Sequence, residues 1–153
     1  MKVALDAMGG DKAPRVNLEG AAGALAQFPT LTKLFLVGDQ PSIEELASDC
    51  GLDLKDPRLE LVHAAEVIGM SEAGAKAVRR KKQSSVALAM DLVKAGEADA
   101  FVSAGNTGAC VAAGQLKLRL IPGIERPGIA SGLPNEHGAC HLLDAGANPE
   151  AKP

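Results

Sequence analysis

Short apolar runs alternate with segments of helical period along most of the chain, and this alternation restricts the fold more than any other feature. Residues 3–6, 34–37, 59–63 and 100–102 read as buried strands. Between and after them, residues 14–28, 41–48, 72–81, 84–95 and 107–118 carry helical spacing or helix-start signals. Pro14 and Pro41 stand near helix starts, where a missing N–H does no harm, while Gly51 and Gly96 stand past helix ends. Strands joined through helices pair in parallel, which predicts a three-layer α/β/α arrangement around a mostly parallel sheet. The final third differs. Residues 129–133 and 139–144 flank Pro134-Asn135-Glu136-His137-Gly138, the pattern of an antiparallel hairpin near the C-terminus. No linker or repeat divides residues 1–153, which read as a single α/β domain whose last strand lacks a covering helix.

Such a domain has to build its core from aliphatic side chains, because the chain has no Trp, no Tyr and only 3 Phe. Its 17 Gly and many Ala favour close packing of helices on the sheet and sites lined by backbone. A net charge of −3 argues against a nucleic-acid binder, whose affinity rests on a basic surface. The apolar stretches fall short of the ~20 residues of a membrane span, and the N-terminus reads as a strand rather than a signal peptide. Cys50, Cys110 and Cys140 show no CxxC spacing, the usage of a reduced, cytoplasmic protein. His137, Cys140 and His141 straddle the hairpin turn with no second cluster to complete a metal site, so no metal is expected.

Chemistry concentrates at Ser103-Ala104-Gly105-Asn106-Thr107-Gly108-Ala109, where a strand ends and a helix begins. Gly105 and Gly108 let a ligand approach the backbone, the first helical N–H groups point at it, and the helix dipole favours negative charge. Asn106 and Thr107 add side-chain donors. An ordinary N-cap turn is the alternative. The run Arg79-Arg80-Lys81-Lys82 precedes a fresh helix start at Ser84-Ser85, which places cations and free N–H groups around one point; alone, these would be a solvated helix end and a cap. Asp6 and Asp11 follow the first strand, where ligands of open α/β sheets bind, and a carboxylate there suits orienting Lys82 or Asn106. Asp144 and Asn148 repeat that logic after the last strand. His63 reads as a core or rim histidine, and Cys110 as small apolar packing.

Four segments in order, Asp6-Ala7-Met8-Gly9-Gly10-Asp11, Arg79 through Ser85, Ser103 through Ala109, and Leu142 through Asn148 with Lys152-Pro153, resemble the bacterial phosphate acyltransferases. Arg126-Pro127 lies between the last two. The resemblance implies an isocitrate dehydrogenase-like fold and transfer of an acyl group from acyl-acyl carrier protein to inorganic phosphate, giving acyl phosphate for phosphatidic acid synthesis. It implies Lys82, Asn106 and Asp6 at the reaction centre, with Ser84, Ser85, Gly105, Thr107 and Gly108 around phosphate. Asp11, Arg126, Asp144, Asn148 and Lys152 support them. No cofactor is called for, since phosphate is itself the nucleophile and the site needs cations and amide donors rather than a triad. The family's members are about twice as long, so the chain reads as an N-terminal half that is inactive alone. A homodimer and peripheral membrane association, the latter outside this chain, are implied as well. Two rivals remain: a nucleotide enzyme of the dehydrogenase-like α/β class, weakened because Met8-Gly9-Gly10 lacks a third glycine in register, and a non-catalytic binding or assembly module.

Overall fold

A computed structural model of the chain describes residues 1–143. Its first compact unit, Met1–Arg119, contains β1 (Lys2–Asp6), α1 (Arg15–Gln27), β2 (Lys33–Gly38), α2 (Gln40–Ala47) and β3 (Leu59–His63), then α3 (Gly74–Arg80), α4 (Ser85–Lys94), β4 (Ala100–Val102) and α5 (Thr107–Lys117). The strands form one parallel sheet in the order β3-β2-β1-β4, with Lys33 opposite Lys2, Leu59 opposite Leu34 and Ala100 opposite Val3.

Successive strand residues point to opposite faces, and both faces are covered. Val3, Leu5, Leu34 and Leu36 pack with Leu18, Ala21, Leu25, Ile43 and Ala47 of α1 and α2. Ala4, Phe35 and Val37 point the other way, onto Ala89 of α4 and Ala98. The helices α3, α4 and α5 share a further apolar cluster of Ala77, Val78, Val86, Met90, Ala109 and Ala113, whose many alanines let the helices approach closely. Leu18, Leu36, Ile43 and Val37 are fully buried, each contributing about 1.5–3 kcal/mol of hydrophobic stabilisation.

Local chemistry sets the helix starts. Asp39 caps α2 by accepting from the Ser42 N–H at 3.2 Å, Ser84 caps α4 through the Ala87 N–H at 3.4 Å, and Asn106 caps α5 through the Ala109 N–H at 3.0 Å. The helix expected from residue 72 begins at Gly74 instead, because the Glu72 carboxylate turns back to the Gly69 N–H at 2.8 Å and closes a turn before the helix.

The chain leaves β1 toward β2 on one side and returns through β4 on the other, so the strand order switches direction between β1 and β4. In open α/β sheets the crevice outside the carboxyl ends at such a point is where ligands bind. The two loops that meet there follow Asp6 and Val102.

The second unit begins at Leu120 and contains the antiparallel hairpin β5 (Ala130–Asn135) and β6 (Gly138–Leu143), with Gly138 opposite Asn135. Its turn is tighter than the sequence implies. Pro134 and Asn135 belong to β5, leaving Glu136 and His137 as the loop, and the Asn135 side chain accepts from the His137 N–H at 2.8 Å.

Candidate functional site

Asp6 ends β1 with its carboxylate buried, and both oxygens are engaged. One accepts from the Met8 N–H at 3.0 Å and the other from the Ser103 hydroxyl at 2.7 Å, while Ser103 Oγ accepts from the Gly105 N–H at 3.0 Å. A buried charge is tolerable only with such partners, and here they tie the loop after β1 to the loop after β4. The loops touch through backbone: a Cβ on Gly9 would lie 2.5 Å from Asp6 Oδ2 and 2.8 Å from the Gly105 nitrogen. Asn17, buried on α1, donates to the carbonyls of Ala7 at 2.9 Å and Gly9 at 2.8 Å and fixes the first loop from below. Asp6 therefore orients Ser103 and the loop, rather than Lys82 or Asn106.

Asn106 works as a clamp. Besides capping α5, its amide nitrogen lies 3.2 Å from the Gly69 carbonyl oxygen, 3.1 Å from that of Met70 and 2.8 Å from that of Glu72. The segment it holds, residues 66–72, is fastened at its other end to the start of α4. There Glu66 accepts from the Ser85 N–H at 3.2 Å, donates its own N–H to Gln83 O at 3.2 Å, and takes the Gln83 N–H on its side chain at 2.9 Å. Lys81 locks the middle, donating to the Val67 carbonyl at 2.6 Å and to Glu72 at 2.5 Å. The Lys81 amine, followed by the Gly69 N–H, holds the Glu72 carboxyl below its usual range.

The residues singled out in the sequence thus separate into groups. Asp6, Gly105, Asn106, Thr107 and Gly108 come together at the crevice between β1 and β4. Ser84 and Ser85 are buried beneath the 66–72 segment; the Ser84 hydroxyl donates to Lys81 O at 2.9 Å and accepts from the Ala87 N–H, so it faces no solvent. Thr107 and Gly108 are exposed, and among the described residues their N–H groups have no acceptor, as expected of a first helical turn open to a ligand. Lys82 is exposed and has no acidic partner among the described residues, whereas its neighbour Lys81 is spent on Glu72. Asp11 is exposed on the loop after β1, and Arg126 is exposed in the second unit. Asp144, Asn148 and Lys152 lie outside the described residues.

His63 is an exposed rim residue whose Nδ1 accepts from the Gln40 N–H at 3.3 Å. The Cys110 thiol is pushed up by burial; the Ser103 hydroxyl lowers it and the Asp6 charge raises it further, so it stays a thiol at neutral pH. Sequence reasoning does not single out Asn17, and it takes Lys81 only as one cation of a run and Ser103 only as part of a loop. Their partners lie on other segments, and no local pattern announces them. Among the described residues no helix is long and apolar enough to cross a membrane.

With this geometry in place, comparison with known proteins gives consistent findings. The family model described as fatty acid synthesis protein matches residues 1–153. Curated relatives named phosphate acyltransferase include those of Akkermansia muciniphila, 55% identical over 153 residues, and Pelotomaculum thermopropionicum, 51% identical over 153 residues. That of Geobacter sulfurreducens is 49% identical over 156 residues. Each match covers 100% of this chain and 43% of the relative, so the chain spans less than half the length of the curated relatives it matches.

Proposed function

The chain belongs to the fatty acid synthesis protein family, and from that premise we propose that it holds the phosphate site of an acyltransferase. The reaction moves an acyl group from acyl-acyl carrier protein to inorganic phosphate and yields acyl phosphate for phosphatidic acid synthesis. The observation that carries this reading is the open first turn of α5, where the exposed Thr107 and Gly108 N–H groups stand at the crevice between β1 and β4. Such a turn suits a dianion through its N–H groups and its dipole together.

In the transfer a phosphate oxygen attacks the thioester carbonyl carbon. The new O–C bond forms, the C–S bond breaks, and the thiolate leaves and takes a proton from solvent. Phosphate needs positioning and charge neutralisation more than activation, which accords with a site whose nearest cysteine, Cys110, is held as a thiol. Lys82 supplies the cation facing phosphate. Asn106, Asp6, Ser84 and Ser85 keep the N–H groups, the glycine loops and the start of α4 in place. Gly108 leaves room for the ligand at the backbone, Gly105 lets the loop after β4 pack on Gly9, and Asp11 and Arg126, with Asp144, Asn148 and Lys152, are supporting groups of the longer protein. The longer protein acts as a cytoplasmic homodimer at the membrane periphery, with acyl carrier protein as its donor.

Phosphate titration of the 153-residue chain, followed by amide NMR, tests the reading. The Thr107 and Gly108 resonances should move most, and Lys82→Ala should weaken binding about tenfold, the loss of one charge-assisted contact. Phosphate shifts confined to other residues, or saturable binding of NAD at the same amides, would overturn it.

A further inference from the structure

The chain is acidic overall, yet 5 of its 16 cations fall within residues 76–82. Two of these are accounted for above: Lys81 points inward to Glu72, and Lys82 serves phosphate. The other three, Lys76, Arg79 and Arg80, are spaced i, i+3, i+4 along α3 and so share one face of the helix, opposite the buried Ala77 and Val78. All three are exposed. Among the described residues the one carboxylate paired with this face is Glu72, 3.6 Å from Arg80, and it is already bonded to Lys81. Glu72, Ala73, Lys76, Ala77 and Arg80 line a shallow depression of about 250 Å³ on the same surface.

The placement of α3 gives the stripe its meaning. Its first residue, Gly74, lies directly on the first turn of α5, where a Cβ would come within 2.4 Å of Gly108 C. At ~1.5 Å per residue the stripe therefore runs from ~3 Å to ~9 Å along the helix from that contact. A macromolecule seated on α3 would present whatever it tethers to the Thr107 and Gly108 amides.

We propose that Lys76, Arg79 and Arg80 form a docking surface for an acidic protein, which under the function proposed above is the carrier that delivers the thioester. The inference rests on that reading for the partner's identity and on charge complementarity for the surface. Arginine on an exposed face suits carboxylate recognition, because its planar fork binds both oxygens. Exposed charges of this kind steer association and set its rate more than they stabilise the free protein.

The test is binding of purified acyl carrier protein to the chain, measured by fluorescence anisotropy from about 0.05 M to 0.3 M salt, a range over which surface charges become screened. The doubly substituted Lys76→Glu, Arg79→Glu chain is compared with the unchanged one. Both side chains are exposed, so the variant should keep its far-UV spectrum and its phosphate binding. The expected result is weakening by at least about tenfold from the double reversal and a similar loss at high salt for the unchanged chain. Equal binding by the two chains, or salt-independent binding, would overturn the proposal. So would preferential capture by vesicles containing phosphatidylglycerol, which would make α3 a lipid surface. Loss of phosphate binding at α5 with stripe-dependent carrier binding intact would instead fault the functional reading and leave the docking surface standing.

Discussion

Replacement of Asn106 should cost stability in a way that separates its two tasks. Its Oδ1 caps α5, and its amide nitrogen faces the carbonyls of Gly69, Met70 and Glu72. An N-cap contributes about 1 kcal/mol. The nitrogen has two hydrogens for three nearby carbonyls, so about two net hydrogen bonds of about 1 kcal/mol each are at stake. Asn106→Ala should therefore lose about 3 kcal/mol, a shift of roughly 6–12 °C in the thermal midpoint for a chain of this size. Asn106→Ser retains an acceptor for the Ala109 N–H and should lose about 2 kcal/mol. Asn106→Asp discriminates best. It keeps the cap and gains a favourable dipole interaction of at most about 1 kcal/mol, but it turns a carboxylate oxygen toward three carbonyls. It should be no more stable than the alanine variant. Urea unfolding of the four proteins provides the comparison, with native-state hydrogen exchange at residues 69–72 as a local readout. An aspartate variant within about 0.5 kcal/mol of the unchanged chain would show that the clamp on residues 69–72 contributes nothing and would refute the reasoning.

Two glycines in helices should respond oppositely to alanine, because a Cβ at Gly74 would lie 2.3 Å from the Ala109 nitrogen while Gly20 has nothing within 4 Å. Gly74→Ala should destabilise by at least about 1–3 kcal/mol and Gly20→Ala should stabilise by about 0.5–1 kcal/mol; the same sign for both in urea unfolding would contradict the packing. The Glu72 carboxyl is held low first by Lys81, so the stability it supplies is present above the unfolded carboxyl range, about pH 4.3, and is lost as pH falls through the folded value. Protection of the Gly69 amide, taken relative to its intrinsic exchange rate, should accordingly fall as the pH drops below the ordinary carboxyl range in the unchanged chain, and Glu72→Gln should abolish that dependence. Because burial keeps Cys110 a thiol, alkylation there followed by mass spectrometry at pH ~7 should run well below the rate of a free-cysteine peptide; an equal rate would show the thiol to be neither shielded nor shifted.

Most of the sheet was legible because its strands obey a local rule. The runs at 59–63 and 100–102 coincide with β3 and β4, while β1 extends its expected run by one residue at the start and β2 by one residue at each end. The central strands β1 and β2 pack on both faces, which leaves little ambiguity, whereas the edge strands β3 and β4 are at most half-buried and were legible as short apolar runs. The α3 start was missed by two residues because Glu72, an ordinary first-turn acid by sequence, is captured by Lys81 and Gly69. The hairpin turn was read too long because Pro134, a turn signal in isolation, is accommodated in β5 opposite Ala139. The crevice between β1 and β4 was legible from local pattern, and the hydrogen bonds within it were not. Strand, glycine and helix start locate the crevice, but whether Asn106 faces a ligand or a carbonyl depends on residues 34 to 37 positions away.

That division has a physical origin that reaches beyond these residues. Under the function proposed above, the anion site is built from backbone N–H groups, which asks little of side chains at the ligand and a great deal of those that hold the backbone still. Here Asn17 fixes the loop after β1, Asp6 and Ser103 join it to the loop after β4, and Asn106 with Lys81 fastens the 66–72 segment against α5. Each is buried or half-buried and spends its polar atoms inward. The groups left facing outward are Thr107, Gly108 and Lys82, two amides at a helix start and one cation. A pattern search weighted toward polar side chains finds the clamps first and takes them for the site. The exposed peptide groups beside them are chemically anonymous in sequence, and they become visible only when the hydrogen bonds of their neighbours have been counted.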